Sequence, residues 1–263
     1  MNSQRRPPPD STGARAGQVI RLPPRIVAPP LAARPFVFVN VAMSADGKIA
    51  TANRAVHSFG SPRDLAHLYE LRATSDAVMC GAGTLAADTI HLGPGGARYE
   101  RRRLRAGLAR FNLRVVVSGS GSLAPDNPVF SRRFSPVIVI TTARAGQRRI
   151  AEWSAVADTV LIGGQRAIDF PRVLAWLRTQ RGVRRLACEG GGELNAALLA
   201  ADVVQEVHLT LCPWIFGGRD APGLAGSAGF RRLAAAHALR LRSFRRVKNE
   251  AFCIFTVVPR SPG

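Results

Sequence analysis

The sequence predicts an α/β protein whose central sheet is mostly parallel, is flanked by helices on both faces and ends in a C-terminal antiparallel hairpin. From residue 36 onward, short β-branched apolar runs alternate with helical patterns, and glycine-rich turns follow several of the runs. The last two strand patterns are separated only by the turn Lys248-Asn249-Glu250. Alternating strands and helices favour parallel strands covered by helices, whereas a short final turn favours an antiparallel pair.

The individual elements follow from local signals. Ser61-Pro62 predicts the N-cap and first turn of a helix that continues to residue 73. The glycine- and arginine-rich residues 91–111 predict a loop with a short helix. Further helices are predicted at residues 147–156, 170–181 and 194–201. Apolar runs predict strands at residues 36–43, 76–80, 113–118, 136–141, 159–162, 183–188, 206–215, 238–247 and 251–258.

Composition divides the chain into two regions. Residues 1–35 hold eight of the 18 prolines together with several arginines, which predicts a disordered arm. Residues 36–263 are predicted to form a single domain. No apolar stretch approaches the roughly 20 residues that a membrane-spanning helix needs.

The chain is strongly basic, with a formal net charge of +20 from 37 Lys and Arg against 17 Asp and Glu. Only Lys48 and Lys248 are lysines, and the arginines are spread along the chain apart from residues 98–110 and the arm. Such a field attracts anionic small molecules such as sugar phosphates and dinucleotides. Nucleic-acid binding is the alternative, but no nucleic-acid-binding motif accompanies the charge.

The four cysteines each lie in an apolar, strand-like run, and none belongs to a C-x-x-C pair. This pattern predicts buried, reduced thiols in a reducing compartment, the cytoplasm, and no metal site.

Residues 186–195, with the sequence LACEGGGELN, carry the strongest functional signal. An apolar strand meets the carboxylate of Glu189, then three glycines, then a helix. Glycines let backbone N–H groups approach a ligand, and a helix N-terminus adds positive potential, so the segment predicts a phosphate site. The other informative segments are a strand leading into S-A-D-G-K-I-A at 44–50, G-A-G-T at 81–84 and I-F-G-G-R-D-A-P at 215–222.

In this order and spacing, the four segments resemble the reductase family of riboflavin biosynthesis, which has a dihydrofolate-reductase-like fold. The family patterns S-x-D-G-K-I-A, G-x-G-T-x-x-x-D, E-G-G-x-x-L-N and P-x-x-x-G-G-x-x-A-P all appear between residues 35 and 258. The H-x-E and P-C-x-x-C zinc signature of the deaminase half found in bifunctional members is absent. The chain therefore resembles a stand-alone reductase.

The resemblance implies an NADPH-dependent reductase domain that converts a phosphorylated ribosylamino-pyrimidine to its ribitylamino form, as a homodimer. It implies catalytic roles for Glu189, at the sugar and reacting carbon, for Asn40, which would hydrogen-bond the substrate, and for Asp46, beside the nicotinamide. It implies that Ser61, Arg72 and Asp88 bind the substrate's phosphate and sugar. The implied cofactor-binding residues are Gly81, Gly83, Thr84, Ser118, Gly190, Gly191, Gly192, Leu194 and Asn195.

The departures from the family pattern all fall on the substrate side. Gly60 replaces a threonine, Thr89-Ile90 replaces an Asp-Pro pair, and the arginine expected a few residues later is missing, with Arg98 the nearest candidate. Two alternatives therefore stay open. One is a reductase of the same fold that acts on another substrate, such as a pterin or folate, and the other is a basic nucleic-acid-binding protein.

Overall fold

The computed structural model describes residues 17–23, 29–54, 59–87, 90–226 and 229–260. Its strands are β1 (Gln18–Arg21), β2 (Phe36–Ser44), β3 (Ala77–Gly81), β4 (Leu113–Val117), β5 (Val137–Thr141), β6 (Thr159–Ile162), β7 (Arg185–Cys188), β8 (Glu206–Cys212), β9 (Leu239–Val247) and β10 (Glu250–Val257). They form one sheet in the order β1-β6-β5-β4-β3-β7-β2-β8-β10-β9. Neighbours from β1 to β8 in this order are parallel, and β10 is antiparallel to β8 and β9.

Helices cover both faces of this sheet: α1 (Pro62–Arg72), α2 (Ala82–Ala87), α3 (Ala97–Arg105), α4 (Pro128–Ser131), α5 (Gly146–Ser154), α6 (Phe170–Arg181) and α7 (Gly192–Ala200). Met79 of β3 packs with Leu174 of α6 and Leu198 of α7. Its neighbour Cys80 belongs to a second core with Trp153 of α5. Successive strand residues point to opposite faces, so these cores lie on opposite sides of the sheet. The predicted fold class is confirmed, including the C-terminal antiparallel hairpin.

Local sequence explains where the predicted helices begin and end. The Ser61 hydroxyl accepts a hydrogen bond from the Arg63 N–H at 3.1 Å, as an N-cap does, and Pro62 occupies the first turn. Asp169 caps α6 in the same way, and α6 ends at Arg181, followed by the C-cap Gly182 in the left-handed region, with φ of 65°.

The prediction of a disordered arm is wrong for Gln18–Arg21. This segment is a strand that pairs in parallel with Thr159–Ile162 of β6. Its addition covers the edge that β6 would otherwise expose, because unpaired strand edges leave backbone N–H and C=O groups without partners. Residues 1–16 and 24–28 lie outside the described ranges, so the arm remains a prediction there, as does the division of the chain at residue 35.

Two further predictions concern lengths. Residues 91–111, predicted as a loop with a short helix, contain the nine-residue helix α3. The strand predicted at 206–215 ends at Cys212 because the chain then turns toward Asp46, whose carboxylate accepts hydrogen bonds from the N–H groups of Phe216 and Gly217.

The four cysteines are free thiols. Cys80, Cys188 and Cys212 are buried as predicted, and Cys253 is half-buried. In the ranges described, no helix is both long and apolar enough to cross a bilayer. Nor do three or more His, Cys, Asp or Glu side chains gather there into a set that could hold a metal ion.

Candidate active site

A cleft of about 1330 Å³ opens along the carboxyl ends of the parallel strands. Gly81 at the end of β3, Ser118 after β4, Thr142 after β5 and Glu189 after β7 all line it. Open α/β sheets bind their ligands at this edge. The segments that carried the sequence signal therefore meet in one place.

Two glycine turns form the centre of the cleft wall and contact each other directly. The Gly81 N–H donates a hydrogen bond to the Gly190 carbonyl at 2.9 Å, and the Thr84 hydroxyl donates to the same oxygen at 3.3 Å. Gly191 has φ of +89°, and a Cβ there would lie 2.8 Å from Thr84 Oγ1. A Cβ at Gly192 would lie 2.5 Å from the Gly223 carbonyl oxygen. The turns therefore exclude side chains for both conformational and steric reasons.

Leu194 and Asn195, at the start of α7, differ in their surroundings. Leu194 lines the cleft together with Gly83, Thr84, Gly191 and Gly192. Asn195 is fully buried and its amide donates to the Leu224 carbonyl at 3.0 Å. Its amide group thus binds the 221–226 loop to α7, and the cofactor contact implied for Asn195 stays a prediction.

Ser118 lies at one end of the cleft, where two arginines that the motifs did not indicate also line the wall. The Ser118 hydroxyl accepts from the Leu123 N–H at 3.2 Å. Arg144 and Arg166 are exposed cleft residues, and within the described ranges their guanidinium groups have no hydrogen-bonding or ionic partner. Each follows shortly after a strand, β5 or β6, and that position was the only signal in the sequence that could have identified them.

Glu189 and Arg72 form a buried, two-point ion pair within the cleft. Arg72 donates from Nε to Glu189 Oε1 and from Nη2 to Oε2, both at 2.5 Å, and from Nη1 to the Gly93 carbonyl at 2.6 Å. Burial disfavours the charged guanidinium, but the adjacent Glu189 outweighs it, so the pKa of Arg72 is raised. The structure places the guanidinium fork against Glu189, and the substrate contact implied for Arg72 stays a prediction.

Asn40 and Asp46, on and after β2, contribute differently to the site. Asn40 lines the cleft, and its buried Oδ1 has no hydrogen-bonding partner within the described part of the chain. Asp46 accepts from the Ser44 hydroxyl at 2.6 Å and from Gly217 N–H at 2.7 Å, which lowers its pKa to about 2. Its carboxylate therefore holds the 216–217 turn against the end of β2.

The remaining predicted substrate residues are not brought together. Ser61 donates its hydroxyl to Glu250 Oε2 at 2.5 Å, which links α1 to β10, and it is absent from the cleft wall. The substrate contact implied for Ser61 stays a prediction. Asp88 lies outside the described residues. Arg98 does not line the cleft, whereas Arg132 does.

This combination of a parallel sheet and a glycine-walled cleft defines an α/β protein whose cleft has the form that suits a phosphate-bearing ligand. Residues 35–252 match the family model described as the RibD C-terminal domain, and the chain belongs to that family. The resemblance seen in the sequence motifs is thereby confirmed.

Curated relatives and solved structures agree with this assignment. The chain is 34% identical over 197 residues to the 2,5-diamino-6-ribosylamino-4(3H)-pyrimidinone 5′-phosphate reductase of Archaeoglobus fulgidus, covering 75% of this chain and 89% of the relative. It is 33% identical to the Methanothermobacter thermautotrophicus reductase of the same name, and the alignment covers 85% of this chain and 99% of the relative. A pyrimidine reductase-like protein of Corynebacterium diphtheriae shares the fold, with a TM-score of 0.70, 19% identity and coverage of 88% and 96%.

Proposed function

We propose that this protein catalyses the NADPH-dependent reduction of a phosphorylated ribosylamino-pyrimidine to the ribitylamino form, in riboflavin biosynthesis. The observation that carries the proposal is a buried, ion-paired carboxylate, Glu189, in the same cleft as two contacting glycine turns. The names of the archaeal relatives support the substrate class. Among the described residues that line the cleft, no feature favours a pterin or folate.

The glycine turns fit a dinucleotide. A Cβ at 191 or 192 would meet Thr84 or Gly223, so the cleft wall there is bare backbone at the N-terminus of α7. Backbone N–H groups and the positive end of a helix suit a pyrophosphate. Bound NADPH supplies the hydride, and the protein's part is to orient the two reactants and exclude water.

Preference for NADPH over NADH is assigned to Arg144 and Arg166. Both line the Ser118 end of the cleft and lack partners in the described ranges, so they are available to a dianion such as the ribose 2′-phosphate. Replacement of both by Gln should weaken NADPH binding and leave NADH binding unchanged, as measured by fluorescence titration. Equal weakening of both cofactors would contradict the assignment.

On the substrate side, Glu189 and Asn40 are the groups that face the reacting sugar and base. Reduction adds a hydride to C1′ and a proton to the ring oxygen as the C1′–O bond opens. Positive charge develops at C1′ and its nitrogen, and an ionised Glu189 stabilises that charge. The free Oδ1 of Asn40 accepts a hydrogen bond from the pyrimidine's amino groups.

Arg132 replaces the cation missing from the family pattern after Asp88. It lines the cleft beside the 90–96 loop, where burial and the positive charge of Arg132 lower the pKa of His91. The Arg132 guanidinium has no hydrogen-bonding or ionic partner in the described ranges. A guanidinium in that position suits the substrate's 5′-phosphate.

The face of the hairpin sheet that carries Cys253 supports a homodimer. Three residues of β9 are exposed: Leu239, Leu241 and Phe244. They pair with alternate residues of β10, and a β-bulge between Leu241 and Phe244 keeps all three side chains on one face. An apolar face of this kind on an edge strand favours association with a second copy. Phe244→Glu should then yield monomers in light scattering.

The free thiols fit the cytoplasm as the compartment.

The direct test of the activity is NADPH consumption, followed by absorbance, with the ribosylamino-pyrimidine phosphate as substrate and dihydrofolate as the comparison. Turnover should occur with the pyrimidine alone. Cofactor binding without turnover of the pyrimidine would reject the proposed function.

A further inference from the structure

Asp64 is an acidic side chain of the cleft wall on the same helix face as Arg72. It lies in the first turn of α1, and Leu68 and Arg72, four and eight residues later, line the same cleft. Residues at this spacing share one face of a helix. The Asp64 carboxylate therefore faces the space that also holds the ion pair of Arg72 and Glu189.

The sheet beneath α1 sets Glu189 beside Asn40. Cys188, the last residue of β7, pairs in parallel with Val39 of β2. The next residues along the two chains, Glu189 and Asn40, both line the cleft. Neighbouring strands lie about 4.8 Å apart, so a sugar at Glu189 has Asn40 on its β2 side.

Asp64 lies one strand further in the same direction. Asn40 pairs with His208 of β8. Thr210, two residues later on the same face of β8, acts through its hydroxyl on the Asp64 carboxyl. Two strand spacings across the sheet, about 10 Å, separate β7 from β8. A substrate whose C1′ lies at Glu189 therefore has room for its base between Asn40 and Asp64.

The Asp64 carboxyl lacks a cation inside the protein. Burial raises the pKa of Asp64, the Thr210 hydroxyl opposes that rise, and the Glu250 carboxylate adds to it. Within the described ranges no arginine, lysine or histidine forms an ion pair with Asp64. Glu250, by contrast, accepts hydrogen bonds from the N–H and the hydroxyl of Ser61, at 2.7 and 2.5 Å. Of these two neighbouring acidic groups, Asp64 is the one available to donors of a ligand.

A base with an amino group at C2 beside N3–H presents two parallel donors. The diamino-4(3H)-pyrimidinone in the names of the archaeal relatives has this edge. One carboxylate accepts both hydrogen bonds in a two-point arrangement. The uracil counterpart carries an oxygen at C2, an acceptor that would face the carboxylate with no proton between them. A pterin shares the amino edge, so this contact selects the amino group and not the ring system around it.

We propose that Asp64 is a specificity-determining residue, whose carboxylate receives the C2 amino group and N3–H of the base and so selects the diamino-pyrimidinone over its uracil counterpart. This role rests on the proposed function for the class of substrate. The other amino group of the base is left to Asn40, whose buried Oδ1 has no hydrogen-bonding partner among the described residues.

Asp64→Asn reverses the hydrogen-bonding pattern at constant shape. Its amide offers one acceptor and one donor, which match the N3–H and the C2 oxygen of the uracil compound. The folded protein disfavours the charge of Asp64, so the Tm of Asp64→Asn near pH 7 should equal or exceed that of the wild type in circular dichroism. Glu70→Gln, on the same helix and outside the cleft, is the matched control.

The test measures kcat/KM with NADPH for the diamino-pyrimidinone phosphate and for its uracil counterpart. The wild type should prefer the diamino compound. Asp64→Asn should lower kcat/KM for that compound by about 100-fold, as the loss of a charged hydrogen-bonding partner does, without lowering it for the uracil compound. Glu70→Gln should keep the wild-type ratio. Equal losses with both compounds, no loss with either, or a wild-type preference for the uracil compound would overturn the proposal.

Calorimetry with the same two compounds and no cofactor separates this inference from the proposed function. The wild type should bind the diamino compound more tightly than the uracil compound, and Asp64→Asn should abolish that difference. This result together with no NADPH consumption would reject the function and keep the role of Asp64 in base recognition. Binding of neither compound by the wild type would overturn both.

Discussion

Helix α1 carries two arginine–glutamate pairs of similar geometry and different surroundings. Arg63 and Glu70 are 31% and 27% exposed, whereas Arg72 and Glu189 are 7% and 9% exposed. The exposed pair joins two residues of one helix, and the buried pair joins the end of α1 to the end of β7. A half-exposed pair contributes little to stability, whereas a buried one leaves a costly unpaired charge when either partner is removed. Burial and location in the cleft, more than pair geometry, therefore distinguish Glu189 as the candidate functional carboxylate.

The largest expected difference is in stability. Arg72→Met should lower the free energy of unfolding by about 3–5 kcal/mol because Glu189 would be left as an uncompensated buried charge. Arg63→Met should lower it by about 0–1 kcal/mol. Urea denaturation followed by circular dichroism measures both. Equal losses would remove the basis of the comparison.

The next largest expected difference is in catalysis, between substitutions of Glu189 and of Glu70. Glu189→Gln removes the charge that stabilises the developing cation and should cut kcat by about 100-fold or more, with NADPH affinity nearly intact. Glu70→Gln, outside the cleft, should keep kcat within about threefold of the wild type. Steady-state kinetics of both variants measure these changes in kcat. Near-normal turnover in Glu189→Gln would show that Glu189 has only a structural role at the end of β7.

The glycine turn beside Glu189 provides a third distinction. Gly191→Val places a side chain against Thr84 and should weaken NADPH binding by about tenfold or more, about 1.4 kcal/mol. Gly182→Val has a similarly strained φ, +65°, but meets no atom within 4 Å, and should leave affinity unchanged. Fluorescence titration compares them. Similar affinities for the two variants would mean that the Gly191 turn serves the backbone alone.

The smallest expected effect is on the pH dependence of stability and comes from His67, which lies beside Glu70 of the exposed pair. Burial and the neighbouring His208 lower the pKa of His67 from 6.5 to about 4. The pKa of His67 is thus lower in the folded protein than in the unfolded chain. The stability that neutral His67 contributes is therefore complete above about pH 6.5 and is lost as pH falls toward 4. His67→Phe should flatten the fall in Tm between pH 6.5 and 4. An unchanged pH profile would show that His67 titrates normally.

Sequence alone could predict the glycine turns of the site but not the Arg72–Glu189 pair, and the reason is physical. The turns at Gly81 and Gly190 are local: glycines between a strand and a helix specify their own geometry, so their position follows from the motif alone. The Arg72–Glu189 pair joins residues 117 positions apart, and only the folded sheet brings them together. Gln18–Arg21 was missed similarly, because a four-residue strand is recognisable only beside its partner β6.

Asn195 and Ser61 teach a related lesson. Asn195 matches a family motif and Ser61 is aligned by the wider resemblance, yet their side chains bind the protein itself, at Leu224 and Glu250. A motif fixes residue type and spacing, while the direction of a polar side chain depends on which partners the tertiary structure provides.

The most direct test of the central claim, hydride delivery to a substrate beside Glu189, is a single-turnover reaction with NADPH carrying deuterium at both hydrogen positions of the nicotinamide C4. Mass spectrometry of the ribitylamino product should show one deuterium at C1′ for the wild type and a strongly slowed transfer for Glu189→Gln. A product without deuterium, or transfer at the wild-type rate in Glu189→Gln, would contradict the account.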